Sequence, residues 1–536
     1  MKQYSALTKI LAYAEYCFNY KKITIQTEYI MKIYDFKIIL FFVFILINSC
    51  GPSTKNKDSE EDAKEISQFE EPFRPQFHFT PPTNWMNDPN GMVYYEGEYH
   101  LFYQHHPDGN TWGPMHWGHA ISTDLIHWDH QPIAIFPDEH GTIFSGSAVA
   151  DINNTSGLGT KENPPLVAIY TYHDAEAEKS GSVDFQTQGI AFSIDKGRTW
   201  EKYSQNPVLK NPGIKDFRDP KVDWFEEGNG NGKWVMSLAV KDKISFYSST
   251  NLLDWNHESD FQPSWGAYGG VWECPDLFVL KDKEGNDKWV LFVSINPGGP
   301  NGGSATQYFL GDFDGSTFTS EGEEVKWLDY GADNYAGVTW SNVPKQDGRR
   351  LFIGWMSNWL YANLVPTEVW RSANTIPRSL ELFRSGENQY IASRPIEEIK
   401  KLRLESKEVE GELIDLNSEL MEIELDIVGV DFEFELSNQE GEKVILRKEG
   451  DNLSFDRSLS GLTDFNKEFE KIHTAPDLGL ELKNLQVFVD KSSIEFFFNE
   501  GELVLTEIIF PENPYTQLKT KGFGEVKEIH VLKSIW

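Results

Sequence analysis

Residues 193–200 read SIDKGRTW. Ser193, Asp195 and Gly197 are the residue types a tight turn requires, and Trp200 closes it with an aromatic ring. This Ser-x-Asp-x-Gly-x-x-Trp turn, the Asp-box, is common on propeller blades. Similar phrases stand at 122–128 (STDLIHW), 249–255 (STNLLDW) and 311–318 (GDFDGSTF). Each follows a short apolar run: YHLFYQ (99–104), PLVAIYT (165–171), KWVMSLAV (233–240) and KWVLFVS (288–294). A fifth run, RLFIGWMS, stands at 350–357, and successive runs start 55 to 68 residues apart. That spacing holds about four strands per repeat. The chain is therefore expected to be all-β, with a five-bladed β-propeller over residues 73–394 and an axial funnel where the innermost strands converge.

Downstream, PIEEIKKLRL breaks the pattern and predicts a linker helix over residues 395–405. Period-two alternation then recurs in Met421–Asp426, Asp431–Leu436, Leu485–Asp490 and Ser493–Asn499, with EGEK and NEGE as turn signals. Residues 406–536 read as a C-terminal β-sandwich that buttresses the propeller.

The amino terminus reads as an address. Lys32 and Lys37 precede an unbroken apolar run from Ile38 to Ile47, too short to span a bilayer but suited to a signal peptide. The run ends at Asn48-Ser49-Cys50, so residues 31–50 resemble a bacterial lipoprotein signal with Cys50 as the lipid-bearing residue. Residues 1–30 add nothing a signal needs and read as an upstream segment before a start at Met31. Residues 51–72 are polar and aperiodic, a disordered tether. The expected location is exported, on the periplasmic or cell-surface side of a membrane.

Composition excludes several classes. With 83 acidic and 49 basic residues the formal charge is −34, which argues against nucleic acid and against anionic headgroups. Membrane contact is thus expected only through the lipid anchor. Three cysteines exclude a disulfide framework. No Cys/His cluster has zinc spacing and no glycine-rich loop suits a phosphate, so neither metal nor cofactor is expected. The 17 Trp, 21 Tyr and 36 Phe suit β-cores and stacking on sugar rings.

Three acids stand out: Asp88 in WMNDPNG (85–91), Asp219 in FRDP (217–220) and Glu273 in WECPD (272–276). Each is followed closely by proline, which favours extended geometry, and each precedes its repeat's apolar run by about 11 to 15 residues. Equivalent places in different blades bring the three to one end of the funnel. Converging carboxylates suit glycoside cleavage, one ionised at the anomeric carbon and one protonated toward the leaving oxygen. Glu273, between Trp272 and Cys274, has an apolar surround that fits the acid. Asp88, flanked by the amides of Asn87 and Asn90, fits the nucleophile. Asp219 follows Arg218, whose guanidinium would hold it negative and ready to bind two hydroxyls.

These motifs, with Tyr103-Gln104, Trp112…His116-Trp117-Gly118-His119, Phe144-Ser145-Gly146-Ser147, Asp333-x-Tyr335-Ala336, Gly354-Trp355-Met356 and VFVDKSSIEFFFNEG (487–501), resemble glycoside hydrolase family 32, the β-fructosidases. The resemblance covers nearly everything after residue 73. It implies a retaining mechanism with Asp88 as nucleophile, Glu273 as acid/base and Asp219 as transition-state stabiliser. It further implies that Trp85, Met86, Asn87, Gln104, Trp112, Phe144, Ser145, Arg218 and Trp355 line the subsite for a terminal fructose. Cys274 reads as a small buried neighbour. His105-His106-Pro107-Asp108 departs from the Asn-Pro-Tyr-like segment of many relatives and bears on linkage or chain-length preference.

The expected substrates are fructans (levan or inulin) and sucrose, cleaved from the end with release of fructose. An endo-levanase or a transfructosylase would use the same acids, and a non-catalytic glycan-binding propeller is the alternative from another class. Oligomeric state leaves no mark in the sequence.

Overall fold

The structure is a computed structural model that describes residues 68–536; the upstream segment, the signal with Cys50 and most of the tether lie outside the described residues. The apolar runs are the second strands of five antiparallel meanders, buried on both faces because each sheet is sandwiched between neighbours. Blade 1 comprises Asn84–Tyr95, Glu98–His106, His116–Ser122 and Asp129–Ile135. Blade 2 comprises Thr142–Ala150, Leu166–His173, Gln186–Ser193 and Glu201–Lys202. Blade 3 comprises Phe217–Gly228, Asn231–Val240, Lys243–Ser249 and Asn256–Phe261. Blade 4 comprises Val271–Lys281, Asp287–Asn296, Ala305–Phe313 and Phe318–Ser320. Blade 5 comprises Tyr335–Thr339, Arg350–Met356, Arg378–Ser385 and Asn388–Pro395.

The first strand of each blade is innermost, and each touches the next around a closed ring. Trp370–Arg371, from a long excursion of blade 5, pairs in parallel with Asn84–Trp85 and ties blade 5 to blade 1.

The turn phrase does the same job in three blades. Ser193 Oγ accepts the Gly197 amide at 2.8 Å, Asp195 Oδ1 accepts the Thr199 amide at 2.9 Å, and Trp200 Nε1 donates to the Gly197 carbonyl at 3.1 Å. Ser122, Asp124 and Trp128 repeat these bonds around Leu125, as do Ser249, Asn251 and Trp255 around Leu252. The central residue needs a left-handed backbone, φ +80° at Gly197, +66° at Leu125 and +64° at Leu252. Glycine takes it freely; the two leucines are held there by complete burial of their side chains.

The connector differs from expectation. Glu397–Leu402 is a short 3₁₀ segment, and the first sandwich strand, Arg403–Glu410, begins inside the stretch expected to be helical. Only Ile399 and Leu402 of that segment are buried, and beyond them Arg403–Glu410 pairs antiparallel with Phe523–Leu532, which extends the chain as a strand. The sandwich itself is two six-stranded antiparallel sheets around an all-apolar core that includes Phe434, Phe455, Phe496 and Phe498. Its outer face merges with the propeller, since Phe488, Phe497, Val504 and Leu532 share one apolar cluster with Ile376 and Ile396. Buried ions cross the same junction: Arg378 bonds Asp329 at 3.0 Å and also Glu495, and Arg457 bonds Asp333 at 2.6 Å and Glu507 at 3.1 Å. Among the described residues no helix is long and apolar enough to cross a membrane.

Candidate active site

All five innermost strands break register near the same end of the ring. The breaks fall between Met86 and Pro89, Ile143 and Gly146, Arg218 and Lys221, Glu273 and Asp276, and Tyr335 and Val338. A bulge leaves a residue out of the ladder and re-aims the side chains beside it. Asp88, Phe144, Ser145 and Asp219 lie inside these breaks, while Glu273 and Tyr335 flank theirs. The prolines Pro89, Pro220 and Pro275 belong to the same bulges, where a missing ladder donor costs least.

Proline does not make the acid-bearing segments uniformly extended, as its presence alone predicts. Asp219 and Cys274 both precede proline yet stand at φ +62° and +45°. The bulge takes the Asp219 amide out of the ladder, and Thr171 Oγ1 of blade 2 accepts it at 3.0 Å.

The carboxylates are held by different partners. Asp88 Oδ2 accepts from Ser145 Oγ at 2.7 Å and Oδ1 from Asn87 Nδ2 at 2.9 Å. Trp85 Nε1 donates to Asn87 Oδ1 at 2.7 Å, which fixes that amide's orientation. Asn90 does not join in, because its Nδ2 donates to the Asp88 carbonyl at 3.2 Å and not to the carboxylate. Cys274 bridges two acids: its amide donates to Asp219 Oδ2 at 3.0 Å, and its Sγ lies 3.5 Å from Asp88 Oδ2 and 3.7 Å from Asp219 Oδ2. Burial pushes the thiol's pKa well up, so it is neutral there.

Glu273 is not in the apolar surround expected from Trp272 and Cys274. Trp272 enters the core between blades 3 and 4, while Arg218 Nε and Nη2 donate to Glu273 Oε1 at 3.2 and 3.1 Å and the Tyr335 hydroxyl donates to Oε2. Arg218 also binds Asp216 at 2.8 Å, so the guanidinium expected beside Asp219 is spent on two other carboxylates. Asp219 is consequently not held negative: burial, with Glu273 and Asp88 adding repulsion, outweighs the pull of Arg218 and raises its pKa to about 7.

These groups line a cavity of about 360 Å³, within the range of small-molecule sites. Asn87, Gln104, Trp112, Phe144, Ser145 and Arg218 line it with the three acids, as expected. Trp112, at 44% exposure, stands at the rim edge-on to Phe144. Trp85, Met86 and Trp355 do not line it. All three are buried behind the wall, where the two indoles pack on Trp359 at centroid distances of 5.7 and 4.9 Å, and Trp359 reaches the cavity in their place. Of the other lining residues, Tyr335 was legible in the Asp333-x-Tyr335-Ala336 motif. His173, Glu178, Gln186, Asp216, Asn296 and Trp359 carried no motif, since they lie in connecting loops or at strand ends that only the closed ring brings inward. His105 and His106 anchor the loop bearing Trp112, through the Trp85 carbonyl at 2.8 Å and the Thr111 carbonyl at 2.9 Å.

Elsewhere among the described residues Glu422, Glu424 and His530 converge in the sandwich. Arg403 donates to both carboxylates and ties the group into an ion-pair network.

Residues 78–395 match the model of the glycosyl hydrolases family 32 N-terminal domain, and residues 388–534 match the glycosyl hydrolases family 32 C-terminal model. The chain is 48% identical over 503 residues to a levanase of Bacillus subtilis, covering 89% of this chain and 72% of that one. The exo-inulinase structure from Aspergillus awamori superposes with a TM-score of 0.79 at 36% identity, covering 87% of this chain and 100% of that one. A fructofuranosidase from Schwanniomyces occidentalis, solved with fructose, gives 0.77 at 32% identity, covering 88% and 100%. Family models spanning both domains leave one assignment: the chain is a glycosidase and belongs to glycosyl hydrolase family 32.

Proposed function

We propose that this glycosidase is a retaining β-fructofuranosidase that removes terminal fructosyl units from fructans and sucrose, with Asp88 as nucleophile, Glu273 as acid/base and Asp219 as stabiliser. The observation that carries the reading is the meeting of three carboxylates, from blades 1, 3 and 4, at bulges around one sugar-sized cavity. Ser145 and Asn87 aim Asp88 at the anomeric carbon. Arg218 and Tyr335 aim Glu273 at the leaving oxygen, to which it gives a proton before taking one from water in the second step. Asp219, beside Asp88 across the Cys274 thiol, is suited to bind ring hydroxyls whose acidity grows as the oxocarbenium forms. A cavity of about 360 Å³, sized for a small molecule, and a relative named exo-inulinase support attack at chain ends.

The test uses protein lacking residues 1–50, incubated separately with levan, inulin and sucrose, with early products resolved by length. Fructose alone from both polymers is the expected result, and oligosaccharides at the earliest times would overturn exo attack. Asp88→Ala should lower kcat by roughly 10⁴-fold or more with Tm retained; a near-normal rate would remove it as nucleophile.

We also propose that Cys50 carries a lipid that holds the enzyme on a membrane. Cys50→Ala should move the full-length chain from the membrane to the soluble fraction of its host.

A further inference from the structure

Blade 2 carries an insertion between its second and third strands that the mechanism above does not use. Its core is a short helix, Ala175–Lys179, capped by Asp174 Oδ1, which accepts the Glu176 and Ala177 amides at 3.1 and 3.0 Å. Glu178 projects from this helix into the lining of the cavity, and its side chain is 45% exposed. The helix's own cation does not take it, because Lys179 pairs with Glu176 at 2.7 Å.

Gln186 Oε1 accepts the Phe217 amide at 2.8 Å and Arg218 Nη1 at 3.4 Å, so the other end of that side-chain amide is its donor. That NH₂ faces His173 Nδ1 at 3.3 Å, which makes Nδ1 an acceptor and places the imidazole proton on Nε2. Nε2 faces Glu178 Oε2 at 3.3 Å. The imidazole is buried, lies flat on Phe144 with ring centroids 4.3 Å apart, and is kept neutral mainly by desolvation. A run of facing polar side chains therefore extends from Glu273 through Arg218, Gln186 and His173 to Glu178. Glu178 lines the same cavity as Glu273, which serves the leaving oxygen.

We propose that Glu178 determines specificity by accepting hydrogen bonds from hydroxyls of the sugar on the leaving side, the second fructosyl unit of a fructan, and that His173 is its positioning residue. The inference rests on the fructosidase reading above. One carboxylate oxygen faces the His173 imidazole, and the half-exposed carboxylate is open to a polyol, whose hydroxyls are donors.

The experiment compares kcat/KM for levantriose and for nitrophenyl β-fructofuranoside, whose leaving group offers no hydroxyls, in wild type and in Glu178→Ala, Glu178→Gln and His173→Phe. Glu178→Ala should lose about tenfold more on levantriose than on the aryl fructoside, equivalent to one charge-assisted hydrogen bond. Glu178→Gln should fall between, since a neutral amide accepts more weakly, and His173→Phe, which keeps the stack on Phe144, should show the same selective loss. Equal losses on the two substrates, or none on either, would overturn the proposal. Wild type inactive on both substrates would overturn the fructosidase reading itself, and this inference with it.

Discussion

Asp219 pays most visibly for its place in the site. Its carboxyl titrates near 7 in the folded chain against an ordinary 3.8, because burial and two neighbouring acids outweigh Arg218. Between those values the folded chain holds a proton that the unfolded chain has released, so this residue's contribution to stability falls as pH rises through that window. Asp219→Asn keeps an oxygen for the Cys274 amide while removing the charge. The variant should gain Tm relative to wild type between pH 5 and pH 7.5 and show no gain at pH 3.5, with kcat lower by roughly 10²-fold or more. Calorimetry across pH, paired with single-substrate kinetics, checks both.

At the scale of the element, the bulge re-aims the side chains of a propeller strand toward the cavity. The bulge at Asp219-Pro220 is clasped from blade 2: Ser147 Oγ donates to the Pro220 carbonyl and accepts the Val222 amide, both at 2.9 Å, and Thr171 Oγ1 accepts the Asp219 amide at 3.0 Å. These hydroxyls supply what the broken ladder cannot. Thr171→Val conserves shape and removes the acceptor, leaving a buried amide unpaired at a cost of about 1–3 kcal/mol. The expected outcome is a lowered denaturation midpoint, with a fall in kcat larger than any change in KM, because Asp219 loses its register and not its charge. Urea titration and steady-state kinetics on sucrose separate the two effects. The three turn phrases act in the opposite sense, since they end their strands cleanly and keep the blades uniform.

At the scale of the whole molecule, the sandwich completes the propeller's core. His78, just ahead of blade 1, bonds Asp490 and Glu495 of the sandwich, each at 2.8 Å, and all three side chains are fully buried. Desolvation opposes its charge, but the two carboxylates prevail and raise its pKa to about 9 from 6.5. Its stabilising contribution is fully present below pH 6.5 and is lost as pH rises through about 9. Wild-type Tm should therefore decline across that interval. His78→Gln should start lower, by about 3–5 kcal/mol for a broken buried ion pair, and show a flatter profile. Calorimetry of both proteins from pH 6 to pH 10 reads the difference.

The sequence by itself determined the blade count and the strand-ending turns, and it singled out three acids that the ring brings together, because turn chemistry and period-two burial are local and repeat visibly along the chain. It also placed Asn87, Gln104, Trp112, Phe144, Ser145 and Arg218, each inside a motif that the closed ring turns toward the axis. Motif membership misplaced Trp85, Met86 and Trp355, since a residue's own segment does not say whether its side chain forms the wall or stands behind it. Arg218 was read against its chain neighbour Asp219, whereas its guanidinium reaches Glu273 55 residues away. His173, Glu178 and Trp359 were illegible for the same reason. Which charges meet, which are buried and which loops overhang the cavity depend on contacts between blades, and those exist only once the ring has closed.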